Sequence, residues 1–184
     1  NKYQIFSQSL KSESDFKVDL ENYKKVINLL EQVRPDIIIN LVGLTNVDQC
    51  EKFPSQAYRL NVKIVENLVG AIQELSLKPY LIHISTDQVY DSDEICLEKN
   101  INLSNYYAFS KFCGELIAFK INSTILRTNF FGKSKNLLKS SLTDWIFNEL
   151  KKGNKVNVFE DVWFNPLSMS NLCKIMELVA DKKI

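Results

Sequence analysis

The 184-residue chain has one histidine, five glycines, four cysteines and no excess of charge of either sign. The lone His83 and the widely separated Cys50, Cys96, Cys113 and Cys173 form no group with the spacing of a zinc site, so no metal is expected. A single histidine also excludes most serine and cysteine hydrolase arrangements unless His83 is itself the base. Lys+Arg 23 against Asp+Glu 22 leaves a net charge of +1, and no long run carries one sign, so nucleic acid is not an expected partner. No apolar run approaches the roughly 18 to 20 residues that span a bilayer, and no membrane association is expected. Cysteines this far apart read as reduced thiols, which suits a cytoplasmic protein. What remains is an ordinary globular composition, 45% hydrophobic and 24% charged, of a length that fits one compact unit.

Along the chain, strand and helix patterns alternate. Tyr3 to Ser7 and Phe16 to Asp19 read as short strands, and Val26, Ile27, Leu29, Leu30 and Val33 fall at helical spacing. Pro35 ends that helix. The run from Asp36 to Val42 has the continuous apolar character of a strand buried on both faces of a parallel sheet. One long helix is expected from Pro54 to Leu75, followed by a strand from Tyr80 to Ser85 that Pro79 opens. Further elements are expected as a helix from Asn105 to Phe119, a strand from Thr124 to Thr128, a helix from Leu142 to Lys152 closed by Gly153, a strand from Val156 to Phe159 and a helix from Ser170 to Ala180. This alternation predicts an α/β fold, a Rossmann-like doubly wound parallel sheet whose ligands bind beyond the carboxyl ends of the strands. His83, between Ile82 and Ile84, reads as a supporting core residue, and Trp145 and Phe147 read as packing.

The chemistry-bearing residues cluster after these strands. In Tyr107-Ala-Phe-Ser-Lys111 the phenol and the ammonium share a helix face, and a cation there lowers the tyrosine pKa toward neutrality. An exposed helix pair is the bland alternative. Ser85-Thr86-Asp87 ends a strand, where a hydroxyl could hold a substrate carbonyl near Tyr107, or could simply cap a turn.

Together, Asn40-Leu-Val-Gly-Leu-Thr45, Asn61, His83-Ile-Ser-Thr-Asp-Gln-Val-Tyr-Asp91, Tyr106-Tyr-Ala-Phe-Ser-Lys-Phe-Cys-Gly-Glu115 and Ile125-Leu-Arg-Thr128 resemble the extended short-chain dehydrogenase/reductase superfamily. Within it the likeness is to the dTDP-4-dehydrorhamnose reductase family and its sugar-nucleotide relatives, from about Val18 to Val179. The resemblance implies a reductase using NADP or NAD, with a nucleotide-sugar substrate and a possible homodimer. Tyr107 would donate the proton, Lys111 would lower its pKa and hold the nicotinamide ribose, and Thr86 would bind the carbonyl. Asp19 and Leu20 match the pair at the adenine, and Leu41, Val42, Gly43 and Thr45 match the loop along the cofactor. Asn61 matches a supporting residue, and Ser85 lies on the cofactor side. Asp87, Asn129, Phe130, Phe131, Trp163 and Asn165 match substrate-side positions. Residues 1–129 would form the dinucleotide-binding domain and 130–184 mainly a small, partly represented substrate lobe interleaved with the last sheet elements.

The sequence departs from that pattern in places. The Gly-x-x-Gly-x-x-Gly turn that cradles a pyrophosphate is absent, because Gly43, Gly70, Gly114, Gly132 and Gly153 are scattered. A further segment of roughly 30 residues upstream, one strand, turn and helix, is therefore expected. The glycine common after the family's Val-Phe-Asp is Ser92 here, the loop from Ser92 to Asn105 is short, and Ile184 falls before the usual end of the substrate lobe. Ser7, Gln8 and Ser9 stand where an NAD-selective acid is usual, which favours NADPH or dual use. Two other readings stay open: a non-catalytic dinucleotide-binding subunit that controls a partner enzyme, and an epimerase or dehydratase that retains its cofactor between turnovers.

Overall fold

A computed structural model describes residues 2–92, 94–134, 141–157, 160 and 166–184. The chain opens with two short parallel strands, β1 (Gln8–Ser9) and β2 (Phe16–Lys17). Helix α1 (Tyr23–Val33) starts where the Asn22 side chain accepts a hydrogen bond from the Lys25 N–H, and it stops where Arg34 turns left-handed before Pro35. Strand β3 (Ile37–Asn40) leads to helices α2 (Val47–Lys52) and α3 (Pro54–Tyr58), a π-helical turn (Arg59–Lys63) and α4 (Ile64–Glu74). Then come β4 (Tyr80–Ser85), a 3-10 turn (Asp87–Val89), α5 (Tyr106–Ala118) and β5 (Ser123–Arg127). The remainder is β6 (Asn129–Phe131), α6 (Leu142–Lys151), β7 (Pro166–Ser168) and α7 (Met169–Lys182).

Strands β3, β4 and β5 form a parallel sheet in that order, with Asn40 opposite His83 and Ser85 opposite Arg127. Because the strands run the same way, the loops after Asn40, Ser85 and Arg127 all open at one edge. Side chains on β4 alternate between two cores. On one face Leu81 joins Val26 and Leu30 of α1, Val65, Leu68, Val69 and Ile72 of α4, and Ala118 of α5. On the other, Tyr80 and Ile82 pack against Val179 and Ala180 of α7. Helices on both faces give the doubly wound α/β arrangement expected from the alternation of elements. Each fully buried aliphatic side chain contributes roughly 1.5–3 kcal/mol, so the sheet edge is carried on a firm base. Among the described residues no helix is long and apolar enough to cross a membrane.

Several local expectations need correction. The strand expected from Asp36 to Val42 to be buried on both faces is instead β3 at the end of the three-strand sheet among the described residues, and Ile39 and Leu41 are exposed. The first strand lies at Gln8–Ser9 instead of Tyr3–Ser7, where Asp15 draws the Ser7 N–H and hydroxyl into a turn. The long helix expected over 54–75 is divided by the π-helical turn and preceded by α2. Val156 and Asn157 are not in a strand, and the rest of that expected strand lies outside the described residues. Trp145 and Phe147 are exposed, so neither is packing among the described residues.

Candidate active site

Helix α5 carries the site. Asn105 caps it by accepting from the Ala108 N–H at 2.8 Å. Tyr107, Ser110, Lys111, Gly114, Glu115 and Ala118 follow at helical spacing and are all buried, so the helix turns a largely polar stripe inward. Burial of such groups is tolerated only where each finds a partner. The approach is close at Gly114, where an added Cβ would lie 2.6 Å from the backbone oxygen of Asn61.

Burial pushes the Tyr107 phenol above its ordinary pKa, with the nearby Thr86 hydroxyl opposing and Asp87 adding to the rise. Lys111 is 4% exposed, and its Nζ donates to the Ile84 carbonyl at 2.6 Å. Burial pushes its pKa down to about 8, against the opposing charge of Glu115. The expected lowering of the tyrosine pKa by the lysine is thus corrected. Burial raises it instead, and the ammonium is turned to a main-chain oxygen. Thr86 accepts from the Gln88 N–H at 3.2 Å, starting the 3-10 turn, and Asp87, which shares a cleft wall with Asn129, is held above the usual carboxylate range chiefly by burial. Thr86, Tyr107, Lys111, Asp87 and Asn129 therefore gather where β4, α5 and β6 converge.

The floor of the site comes from the supporting residues around Asn61, Gly43 and His83. Asn61, 1% exposed, accepts from the Leu44 N–H at 2.7 Å and donates to the Leu44 oxygen at 3.1 Å and to Ser110 Oγ at 2.9 Å. It sits in the π-helical turn, whose widened backbone is a frequent feature of functional sites. Gly43 packs against this pair, since an added Cβ would be 3.1 Å from Asn61 Oδ1 and 3.5 Å from Lys111 Nζ. Asn40 Nδ2 donates to His83 Nδ1 at 3.0 Å, and Asn40 Oδ1 accepts from the Val42 N–H. His83 is fully buried, its Nε2 has no partner among the described residues, and burial followed by the charge of Lys111 depresses its pKa to about 3. It is a neutral core residue, as its place in the strand suggested. Ser85 points to α5, donating to Glu115, which is also paired with Arg127. Asn40, Ser110, Glu115 and Arg127 were missed because their partners lie far away in sequence. The one available signal was polar residues inside otherwise apolar strands and helix faces.

The other expected positions are more dispersed. Asp19 caps the turn after β2 by accepting from the Glu21 N–H, and Asn67 of α4 donates to the Leu20 and Glu21 oxygens. Leu41 is exposed, while Val42, Gly43 and Thr45 follow β3 at the open sheet edge. Thr45, Asp87 and Asn129 line one wide cleft that also takes in Phe130 and Phe131, both exposed on β6. Trp163 and Asn165 lie outside the described residues.

Comparison with known proteins gives the same frame. The family model for the RmlD substrate binding domain matches residues 3–184. A dTDP-4-dehydrorhamnose reductase of Aggregatibacter actinomycetemcomitans is 30% identical over 176 residues, covering 91% of this chain and 57% of that protein. A hypothetical dTDP-4-dehydrorhamnose reductase from Sulfolobus tokodaii superimposes with a TM-score of 0.82 at 30% identity, over 95% of this chain and 62% of that one. The reductase from Bacillus anthracis, solved in complex with NADP, gives 0.78 at 28% identity over 89% and 59%. The chain spans about half the length of the curated relatives it matches.

Proposed function

This chain belongs to the RmlD substrate binding domain family, and from that membership we propose that it reduces the keto group of a nucleotide-linked 4-keto-deoxysugar with NADPH or NADH. The observation that carries the reading is the placing of Thr86 just past the carboxyl end of β4, with Tyr107 and Lys111 on the buried face of α5 and Lys111 bonded to the Ile84 carbonyl of the same strand. Tyr107, kept protonated by burial, has a proton to give to a developing alkoxide, and the Thr86 hydroxyl is placed to steady the same oxygen. Asp87 and Asn129 form the adjoining wall for the sugar.

The residues present fit a nicotinamide ribose. Lys111 spends one of the three N–H donors of an ammonium on Ile84, and Gly43 presents bare backbone where a side chain would crowd Lys111 and Asn61. Lys111, Gly43 and Val42 would hold that part of the cofactor, which supplies a hydride when bound. The scattered glycines supply no pyrophosphate turn. All four cysteines are unpaired thiols, which supports a cytoplasmic setting.

The test follows nicotinamide absorbance with a panel of dTDP-4-keto sugars. Turnover is expected in the parent, and Tyr107→Phe is expected to cut kcat by about 10²–10⁴-fold without a change in Tm. Nucleotide binding without turnover in the parent would favour the regulatory subunit, and sugar interconversion without net cofactor oxidation would favour the epimerase.

A further inference from the structure

One side chain joins helix α5 to the wall of the cleft. Arg127, the last residue of β5, donates through Nε to both Glu115 oxygens at 3.0 Å and through Nη2 to Glu115 Oε2 at 2.6 Å. Its other edge is committed elsewhere, with Nη1 donating to the Tyr90 hydroxyl at 2.7 Å and to the Glu98 carbonyl at 2.6 Å. The guanidinium also lies 5.2 Å from the Tyr90 ring centroid and 6.0 Å from that of Phe112. Glu115 is fully buried, lies one turn beyond Lys111 and accepts from Ser85, the neighbour of Thr86.

A buried ion pair of this kind is no better for stability than well-packed apolar residues of the same volume. A planar cation gripping two elements at once does something they cannot, and a lysine point charge cannot reach both sides. Tyr90 and Glu98 both line the cleft that holds Asp87 and Asn129. We propose that Arg127 is a positioning residue that ties the Tyr90–Asp91 and Leu97–Asn102 stretches of the cleft wall to the face of α5 bearing Tyr107 and Lys111. Wall and proton donor are thereby held in one frame. The kinetic arm of the test rests on the reductase reading, and the exchange arm does not.

The exchange arm measures amide hydrogen exchange at Asp91, Leu97, Asn100 and Asn102, whose N–H groups bond within the wall to the Asn102 oxygen, Asn100 Oδ1, the Leu97 oxygen and the Val89 oxygen. Arg127→Lys keeps a cation for Glu115 and releases the wall, so these amides are expected to exchange about tenfold faster while those of Ala108–Ala118 stay within about twofold. Tyr90→Phe, which removes one hydroxyl and keeps the ring, is expected to give about threefold at the same amides. In the kinetic arm, Arg127→Lys is expected to raise KM for the sugar nucleotide by about tenfold and to leave KM for the cofactor within about twofold. Equal acceleration in wall and helix, or none in either variant, overturns the proposal. A parent that exchanges as expected yet shows no turnover sinks the reductase reading alone.

Discussion

Helices α5 and α6 are opposites in what holds them. Helix α6 is specified locally: Ser141 accepts from the Asp144 N–H at 3.1 Å and Asp144 Oδ2 accepts from the Ser141 N–H at 3.2 Å, a complete capping box. Yet it buries no residue among those described, and Leu142, Trp145, Phe147 and Leu150 are exposed. Helix α5 is specified from outside itself. It exposes Phe109 and Leu116 and buries Tyr107, Ser110, Lys111 and Glu115, and the last three each meet a partner on β4, β5 or the π-helical turn. Hydrophobicity alone would have turned α5 the wrong way round. A helix whose inward face is polar and paired is where chemistry has displaced packing as the organising principle.

The harshest way to break this contrast is Gly114→Ala. Its Cβ would sit 2.6 Å from the Asn61 backbone oxygen, so α5 or the π-helical turn must move. A loss of about 3 kcal/mol is expected in denaturant unfolding, with Lys111 displaced from Gly43. A cost under about 0.5 kcal/mol would mean that the close approach is not what seats α5. A smaller effect probes the buried polar layer through pH. His83 ionises near 3 in the folded chain and near 6.5 when unfolded, so the unfolded state binds the extra proton between those values. Stability from His83 is therefore complete above pH 6.5 and is lost as pH falls toward 3. About 2 kcal/mol should go between pH 7 and pH 5. The groups facing His83 are Asn40 from β3, which does not titrate, and Lys111 from α5, which stays charged throughout that range. Unfolding of His83→Leu at both pH values should lack that increment, and an unchanged slope would show that His83 is not held neutral.

The same contrast explains what could be read from the sequence. Strands β3 and β4 were legible as continuous apolar runs, although only β4 is buried along most of its length, and α5 was bounded correctly because Asn105 is a capping residue at its start. The places of Thr86 at a strand end and of Tyr107 and Lys111 one turn apart on α5 were legible because strand ends and i, i+4 spacing fix them without knowledge of the core. The division of residues 54–75 was not, since an i→i+5 turn such as that around Asn61 leaves no periodic mark in a sequence. Nor were the Asn40–His83 and Glu115–Arg127 pairs, which depend on strand order and register. Trp145 and Phe147 failed as packing residues for the converse reason: an apolar side chain announces a preference for burial, not the surface that provides it.

The mildest perturbation tests whether α6 is as independent of the site as its contacts suggest. Ser141→Ala removes the acceptor for the Asp144 N–H and leaves every contact of α5 in place. A cap of this type contributes about 1 kcal/mol, which corresponds to about fivefold faster exchange of amides that open by local fraying. That acceleration is expected across Thr143–Lys151, with Ala108–Ala118 unaffected and turnover within about twofold. The helix reaches the cleft through the Thr143 hydroxyl, which donates to the Gly132 carbonyl at 3.2 Å, and through Asp144 Oδ2, which accepts from the Ser134 N–H at 2.8 Å, and neither bond touches α5. If the α5 amides accelerated in parallel, the two helices would unfold as one unit, and α6 would owe its place to the same core that seats the proton donor.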